Sequence, residues 1–276
     1  MNALPDDLRP GTVAVLGLPT DENSSFMRGP ALAPPRIRDA LHSGSANLCS
    51  ESGLDLSTDP RWRDLGDLNL GEDADARAQI EGTVGTVLDR GARVLALGGD
   101  HAVTYPVIRA YGKRYDALNI LHLDAHPDLY DTFEGSRYSH ACPFARIMEE
   151  GLVARLVQVG IRTMNPHQRA QAERFGVEVI EMRHWHPDQR VAFEGPVYLS
   201  FDMDVLDPAY APGISHHEPG GFSTREAFRI IQNLEAPLVG ADIVEFNPVR
   251  DPVGITAMTA AKLLKEIAAK MLETSS

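Results

Sequence analysis

The chain has 276 residues, of which 43% are hydrophobic and 24% are charged, and its formal net charge at pH 7 is −13. This composition is typical of a globular protein, and the length suits one large α/β domain. The acidic balance argues against nucleic acid and anionic membranes as partners, because both require a basic surface, and it is compatible with a small cationic substrate.

Short apolar runs alternate with amphipathic stretches along the chain, and this alternation predicts a mostly parallel sheet with helices on both faces. The strands are nearly all apolar, as expected when both faces of a sheet are covered. In chain order, the predicted elements are strand Val13–Leu18, helices Pro35–Leu41 and Ala74–Arg90, strand Arg93–Leu97, helix Thr104–Tyr111, strand Asn119–Leu123, helix His140–Glu149, strand Leu156–Gly160, helix Pro166–Phe175, strands Glu178–Glu181 and Val197–Phe201, helix Thr224–Leu234, strand Val239–Glu245 and helix Gly254–Leu272.

No internal repeat or linker divides the chain, so we predict a single domain over residues 1–276. The longest segments expected to be irregular are Ser43–Asp73 and Leu206–Phe222. The N-terminus lacks the features of a secretory leader, and no apolar run approaches the length of a membrane span. Because two cysteines, Cys49 and Cys142, do not make a disulfide framework, we predict a cytoplasmic protein.

Polar clusters follow four of the apolar runs, at the edge of the sheet where ligands bind in parallel α/β folds. In two clusters the acidic and imidazole residues occupy alternate positions, which point to one face of an extended chain. Burying four carboxylates together is prohibitive unless cations neutralise them, and about two divalent ions would balance this charge. The candidate metal ligands are His101, Asp124, His126, Asp128, Asp202 and Asp204.

The ligand set is rich in oxygen and has no thiolate, so it favours Mn²⁺ over structural Zn²⁺, while Ni²⁺ and Co²⁺ also suit it. Two such ions can hold a nucleophilic hydroxide between them at neutral pH. Beside that hydroxide, His140 either moves protons to a leaving group or is an ordinary exposed or helix-capping histidine. Glu245 either pairs with a planar guanidinium or is a structural ion-pair partner. We expect Asp207 and Asp242 to have a supporting structural role.

Four motifs resemble those of the ureohydrolases, the arginase and agmatinase family. Further segments, such as SSFMRGPALAPPRIR from Ser24 and GITAMTAAKL from Gly254, are most similar to the plant-type arginases, and the resemblance covers nearly the whole chain. It implies a three-layer α/β/α sandwich with a central parallel sheet, assembled as a homotrimer or homohexamer. The four motifs are GGDH (Gly98–His101), DAHPD (Asp124–Asp128), SFDMDVLDP (Ser200–Pro208) and VEFNP (Val244–Pro248).

The same resemblance implies roles for individual residues. The six candidate ligands would bind two Mn²⁺ ions, His140 would be the proton shuttle, and Glu245 would anchor the guanidinium. Asp128 is expected to orient the hydroxide. The implied reaction is hydrolysis of L-arginine to L-ornithine and urea. The alternatives are hydrolysis of agmatine to putrescine and hydrolysis of another guanidino compound such as guanidinobutyrate.

The predicted substrate loop departs from the animal arginase pattern. The usual Asn and Ser pair after Asp128 is not recognisable, and Ser136 and Arg137 are the substrate-binding candidates there. Asn165 stands where animal arginases carry an Asp that contacts the α-amino group. Arg137 either meets the substrate carboxylate, which would favour arginine over agmatine, or points to solvent or another subunit.

Three other hypotheses remain open from the residues. His140 could activate Cys142 as the nucleophile of a guanidine-modifying enzyme. The chain could instead be a non-catalytic, metal-dependent binding protein, since a fold does not determine a function. A deacetylase-like interpretation would require a single Zn²⁺ ion, so metal stoichiometry distinguishes it from a two-ion centre.

Overall fold

Eight strands form one sheet in residues 8–273, the part of the chain that the computed structural model describes. Their order is β2-β1-β3-β8-β7-β4-β5-β6, and adjacent strands pair in parallel. The predicted α/β fold with a central parallel sheet is confirmed. The strands are β1 (Val13–Leu18), β2 (Trp62–Asp67), β3 (Arg93–Gly98), β4 (Asn119–Leu123), β5 (Arg155–Ile161), β6 (Glu178–Glu181), β7 (Val197–Asp202) and β8 (Leu238–Val244).

Helices cover both faces of the sheet. Successive residues of β1 alternate between two separate cores: Val13 and Val15 contribute to one, and Ala14 and Leu16 to the other. This follows from the period of a strand, whose side chains point to opposite faces in turn. The first core includes α1 (Ala33–Leu41), α6 (Thr224–Gln232) and α7 (Ile255–Glu273), and the second includes α2 (Asp73–Asp89), α3 (Thr104–Gly112), α4 (Pro143–Glu149) and α5 (Pro166–Phe175).

Residues 1–7 and 274–276 lie outside the described residues. The predicted domain, residues 1–276, includes both of these segments. The N-terminus that was predicted to carry no leader begins in the first of them. Within residues 8–273, no helix has both the length and the apolar character needed to cross a membrane.

The strand β2 was missed, because it lies in the segment Ser43–Asp73 that was expected to be irregular. Its sequence, WRDLGD, has no apolar run, and its residues are half-buried or exposed. It is an edge strand that pairs with β1, so one side of its backbone needs no partner strand. Arg38 of α1 forms ion pairs with Asp64 and Asp67 of this strand.

The prediction that a helix begins at His140 was wrong. The helix α4 begins at Pro143 with Cys142 as its N-cap residue. Proline is favoured at the first helical position, where its missing N–H is not required. The backbone N–H of His140 instead donates to the Asn23 carbonyl oxygen at 3.1 Å. His140 therefore lies in a loop that contacts the segment following β1.

The four strands β3, β8, β7 and β4 are neighbours at the centre of the sheet, so the polar clusters that follow them lie at one edge. The backbone is tightly packed there. A Cβ atom on Gly99 would lie 1.8 Å from the Thr20 carbonyl oxygen, so only glycine fits at this position. The Gly99 carbonyl oxygen accepts a hydrogen bond from the Glu245 N–H at 2.9 Å, which connects the ends of β3 and β8.

Candidate metal centre

Four of the predicted ligands form a first group around the His101 imidazole. His101 Nδ1 lies 3.2 Å from an oxygen of Asp124, 3.1 Å from Asp128 and 3.1 Å from Asp202. The Asp124 and His101 side chains are completely buried. The four side chains of this group come from three strand ends. His101 follows β3, Asp124 and Asp128 follow β4, and Asp202 is the last residue of β7, so only the parallel sheet brings them together.

The remaining two ligands form a second group that shares Asp124 with the first. His126 Nδ1 lies 2.9 Å from Asp204 and 3.4 Å from Asp124. Ligand atoms of Asp124, His126 and Asp204 all lie within 4.8 Å of one another. The His126 side chain is 24% exposed, so this group opens towards solvent. The structure thus contains two adjacent groups of donors that are connected by one carboxylate.

The donor atoms fit divalent cations. His101 Nδ1 is buried and has no hydrogen-bond partner among the residues that the structure describes, although three carboxylate oxygens lie close to it. Buried polar atoms are nearly always satisfied, so a lone pair on Nδ1 and the three oxygens around it are best explained as ligands of a common ion. Donor atoms about 3 Å apart are compatible with metal–ligand bonds of about 2 Å.

The electrostatics of the carboxylates agree with this interpretation. Burial, followed by repulsion from Asp204 and Asp124, raises the pKa of Asp202 well above its ordinary value. Burial also raises the pKa of Asp204, although His126 opposes this change. Ionising all of these groups in one buried place requires added positive charge, which divalent ions supply.

Buried hydrogen bonds connect the Nε2 side of His101 to the Asp242 carboxylate through the Ser200 hydroxyl. His101 Nε2 lies 3.0 Å from the Ser200 hydroxyl, which donates to Asp242 at 2.8 Å. Thr104 and Tyr198 also donate hydroxyl hydrogen bonds to the Asp242 carboxylate, at 2.8 and 2.9 Å. With Nε2–H directed at Ser200, the Nδ1 lone pair of His101 is free to face a metal ion. Asp242 therefore acts on the site through Ser200, without contacting the ion position.

His122 is a site residue that the sequence analysis missed. Its Nε2 lies 2.7 Å from Asp124, and its Nδ1 lies 3.0 Å from the Gln158 amide nitrogen. Although it lies close enough to His101 and Asp124 to be a ligand, both of its ring nitrogens have protein partners. We therefore interpret His122 as a residue that holds Asp124 in place. The signal was available in the sequence, because His122, Asp124 and His126 continue the same alternation.

Two site residues have a left-handed backbone conformation that is rare without glycine. Asp128 has φ of 49° and Glu245 has φ of 63°. Such conformations are retained where the surrounding structure over-determines them, often at functional sites. Here they turn the chain sharply after β4 and β8, so that both carboxylates face the same cavity.

His140 and Glu245 form a buried pair beside the ligand groups. Glu245 Oε1 lies 2.8 Å from His140 Nδ1 and also accepts the His101 backbone N–H at 2.9 Å. Burial lowers the pKa of His140, but the Glu245 carboxylate, together with Asp100 and Asp128, more than offsets this and raises the pKa to about 9. The Ser25 N–H also donates to His140 Nε2 at 3.1 Å, which requires the neutral ring with its proton on Nδ1. The geometry therefore describes the neutral imidazole, whereas the raised pKa favours the protonated one at neutral pH.

A cavity of about 270 Å³ opens above these groups. It brings together predicted ligands and the His140–Glu245 pair with side chains from several loops. Among residues 8–273, neither a lysine nor an arginine lines it. The lining residues are Ser25, His126, Asp128, Tyr130, Phe133, His140, Ala141, Thr163, Gln168, Asp202, Asp204, His216, Glu218 and Glu245.

The three substrate-loop candidates are not among the lining residues. Arg137 is paired at 2.7 Å with Glu149, and its side chain is 53% exposed. The Ser136 hydroxyl accepts the Tyr138 N–H at 3.1 Å. Asn165 caps α5, where its side-chain oxygen accepts the Gln168 N–H at 2.9 Å, and its amide donates to the Tyr130 hydroxyl. The structure therefore gives no support for direct substrate contacts by these residues.

Cys142, the N-cap residue of α4, is not among the residues that line the cavity. The side chain is buried, and its thiol contacts the Ser136 carbonyl oxygen at 3.7 Å. Burial, followed by repulsion from Asp128, raises the pKa of the thiol to about 12. Because the thiolate is the nucleophilic form of cysteine, this environment argues against the Cys142 hypothesis.

Comparison with known proteins reveals close relatives. Arginase 1 of Arabidopsis thaliana is 50% identical over 278 residues, which cover 94% of this chain and 81% of the relative. A guanidinopropionase of Pseudomonas aeruginosa is 36% identical over 280 residues, which cover 95% of this chain and 87% of the relative. The solved structure of Medicago truncatula arginase matches with a TM-score of 0.89 and 46% identity, over 94% of this chain and 87% of that one.

The predicted cytoplasmic location was wrong by this comparison. The similar arginases of Arabidopsis thaliana and Medicago truncatula are mitochondrial by name. The prediction depended partly on the cysteine count, which argues against an oxidising compartment but does not distinguish one reducing compartment from another.

The family model of the arginases matches residues 11–269, which include all six predicted ligands as well as His140 and Glu245. The predicted ureohydrolase resemblance, including its plant-type character, is confirmed by this match and by the relatives above. Members of this family are metal-dependent ureohydrolases with a binuclear centre, which agrees with the two adjacent donor groups. This chain belongs to the Arginase family.

Proposed function

We propose that the protein hydrolyses L-arginine to L-ornithine and urea with two Mn²⁺ ions. The observation that carries this proposal is the pair of donor groups sharing Asp124, next to the buried His140–Glu245 pair in one cavity. The 50% identity to an arginase of Arabidopsis thaliana supports arginine as the substrate.

The six predicted ligands would hold the ions in the two groups described above. Oxygen and imidazole donors without thiolate favour Mn²⁺, although Ni²⁺ and Co²⁺ suit the same set. When bound, two such ions lower the pKa of a water molecule and supply a nucleophile at neutral pH. The Asp128 carboxylate, which lines the cavity, would orient that nucleophile towards the substrate.

The His140–Glu245 pair would handle the substrate itself. Both hydrogen bonds to Glu245 go to Oε1, which leaves Oε2 for the N–H groups of a guanidinium. His140 would protonate the departing amine, because an amine is a poor leaving group without a proton. The two residues are in direct contact, so the proton donor and the guanidinium anchor act at the same end of the substrate.

Agmatine is the second candidate substrate, and the cavity lining favours it in one respect. Arginine carries an α-carboxylate at the end opposite the guanidinium, and no lysine or arginine in the described part of the chain lines the cavity to pair with it. Agmatine lacks this carboxylate. Its distal ammonium, like the α-ammonium of arginine, could approach Glu218, which lines the cavity.

Guanidino acids such as guanidinobutyrate fit less well. They carry a distal carboxylate and no amino group, so Glu218 would repel them rather than attract them. The 36% identity to a guanidinopropionase nevertheless keeps this class in the comparison. We also propose that the chain is a single ureohydrolase domain that assembles as a homotrimer or homohexamer, as the family resemblance implies.

A urea-release assay tests the proposed function. The purified protein should be loaded with Mn²⁺ and given arginine, agmatine, guanidinobutyrate and free guanidine at equal concentrations. We expect the highest kcat/KM with arginine. A higher kcat/KM with agmatine would reassign the substrate, and no urea from any of the four compounds under Mn²⁺, Ni²⁺ or Co²⁺ would refute the proposal.

A further inference from the structure

Ser25 covers the His140 nitrogen that faces away from Glu245. The Ser25 hydroxyl oxygen lies 2.8 Å from His140 Nε2, and the Ser25 backbone N–H donates to the same nitrogen at 3.1 Å. Ser25 also lines the cavity. The Ser25 hydroxyl is therefore a hydrogen-bonding group that connects Nε2 with the space available to a substrate.

The loop that carries Ser25 is held by its own contacts. The Asn23 N–H donates to the buried Asp100 carboxylate at 2.9 Å, and the Asn23 carbonyl oxygen accepts the His140 N–H at 3.1 Å. The Gly29 N–H donates to the Asp21 carboxylate at 2.6 Å. These bonds hold the backbone of the loop on both sides of Ser25.

The two contacts of Nε2 correspond to two protonation states of His140. In the neutral ring, Nε2 carries a lone pair and accepts the Ser25 N–H. In the protonated ring, Nε2–H can no longer accept the Ser25 N–H and needs an acceptor, and the Ser25 hydroxyl oxygen is at hydrogen-bonding distance. Because a hydroxyl both donates and accepts, Ser25 can remain bonded to His140 before and after the transfer of a proton.

We propose that Ser25 is a proton-relay residue that carries the His140 proton to the departing amine. This inference rests on the proposed function. In the relay, the Nε2–H bond of His140 breaks as a bond forms between that proton and Ser25 Oγ. The original Oγ–H bond breaks as its proton joins the nitrogen of the leaving amine. His140 loses one proton, the amine gains one, and the Ser25 hydroxyl is unchanged.

Replacing the hydroxyl tests the relay in the Mn²⁺-loaded enzyme. We expect Ser25→Ala to lower kcat about 100-fold, at the lower end of the range of general acid catalysis, while KM changes less than about two-fold. Ser25→Thr, which retains a hydroxyl, should restore most of kcat. The matched control is Ser24→Ala, because the neighbouring Ser24 hydroxyl is directed at Asp100, 3.5 Å away, instead of His140. Metal content and Tm should match the wild type in all three variants.

A second measurement is independent of turnover. In protein labelled with ¹⁵N-histidine and free of paramagnetic metal, the Nε2 resonance of His140 should shift in Ser25→Ala and stay in place in Ser24→Ala. An unshifted resonance in Ser25→Ala would overturn the contact, and a kcat within two-fold of wild type would overturn the relay. If the wild type releases no urea while the resonance shifts as expected, the proposed function fails but the His140–Ser25 contact stands.

Discussion

His140 Nδ1 lies 2.8 Å from Glu245 Oε1, and the two side chains are only 9% and 6% exposed. Two ionisable groups this close and this buried determine each other's charge. Burial raises the pKa of Glu245, but His140 and His101 together more than offset this and hold the pKa below its ordinary value. Glu245 in turn raises the pKa of His140.

This relationship predicts how the stability of the metal-free protein depends on pH. The pKa of His140 rises from 6.5 to about 9 on folding, so its contribution is complete below about pH 6.5 and is lost as the pH rises through about 9. The shift corresponds to at most about 3 kcal/mol. The charged groups that act on His140 are Glu245, Asp100 and Asp128. Between pH 6 and pH 10, urea melts should show a larger loss of unfolding free energy in the wild type than in His140→Gln. Equal losses would contradict the pairing.

Removal of metal should abolish urea release. Dialysis against a chelator is expected to leave an inactive protein, and Mn²⁺ should restore activity, because bound metal ions are needed to supply the nucleophile at neutral pH. Metal analysis should find about two ions per chain, and His126→Ala should lower this to about one. A single Zn²⁺ in the wild type would support the deacetylase-like interpretation, and full activity without metal would end the proposal.

Asp242 should influence metal affinity although it lies behind Ser200 and His101. In Asp242→Asn, the amide cannot accept three hydroxyl donors as the carboxylate does, so the orientation of His101 is weakened. Replacing supporting partners of metal-ligating histidines typically lowers metal affinity by about 10- to 100-fold. Competition with a fluorescent chelator measures the Kd. Asp188→Asn, at an exposed position, is the control. The same Kd in Asp242→Asn and wild type would be inconsistent with this role.

Cys142→Ala should leave kcat within about two-fold of wild type. The thiol is buried and its pKa is raised to about 12, so it is not a thiolate at neutral pH. Losing one sulfur from a packed position should cost about 1 kcal/mol of stability, which a thermal melt detects. Complete loss of turnover in a folded, metal-loaded variant would instead revive the cysteine hypothesis.

The amino-acid sequence alone was enough to predict the sheet and most of its strands, and it indicated that the six candidate ligands lie close together. Apolar runs such as Asn119–Leu123 have the length and composition of buried strands, and alternation at Asp124, His126 and Asp128 indicates one shared face. These are local signals. The edge strand β2 was missed because Trp62–Asp67 contains no apolar run, and the start of α4 was misplaced because the helix begins only at Pro143, after the N-cap residue Cys142.

The contacts that give the site its chemistry were decided by the tertiary structure. Ser25 and His140 are 115 residues apart, and His140 and Glu245 are 105 apart, so no local pattern indicates that they touch. Arg137 lies close to His140 in the sequence, yet its side chain pairs with Glu149 away from the cavity. Periodicity determines which face a side chain takes on its own element. The packing of loops from distant strands determines which side chains meet there, because their positions depend on long-range contacts that a local pattern does not contain.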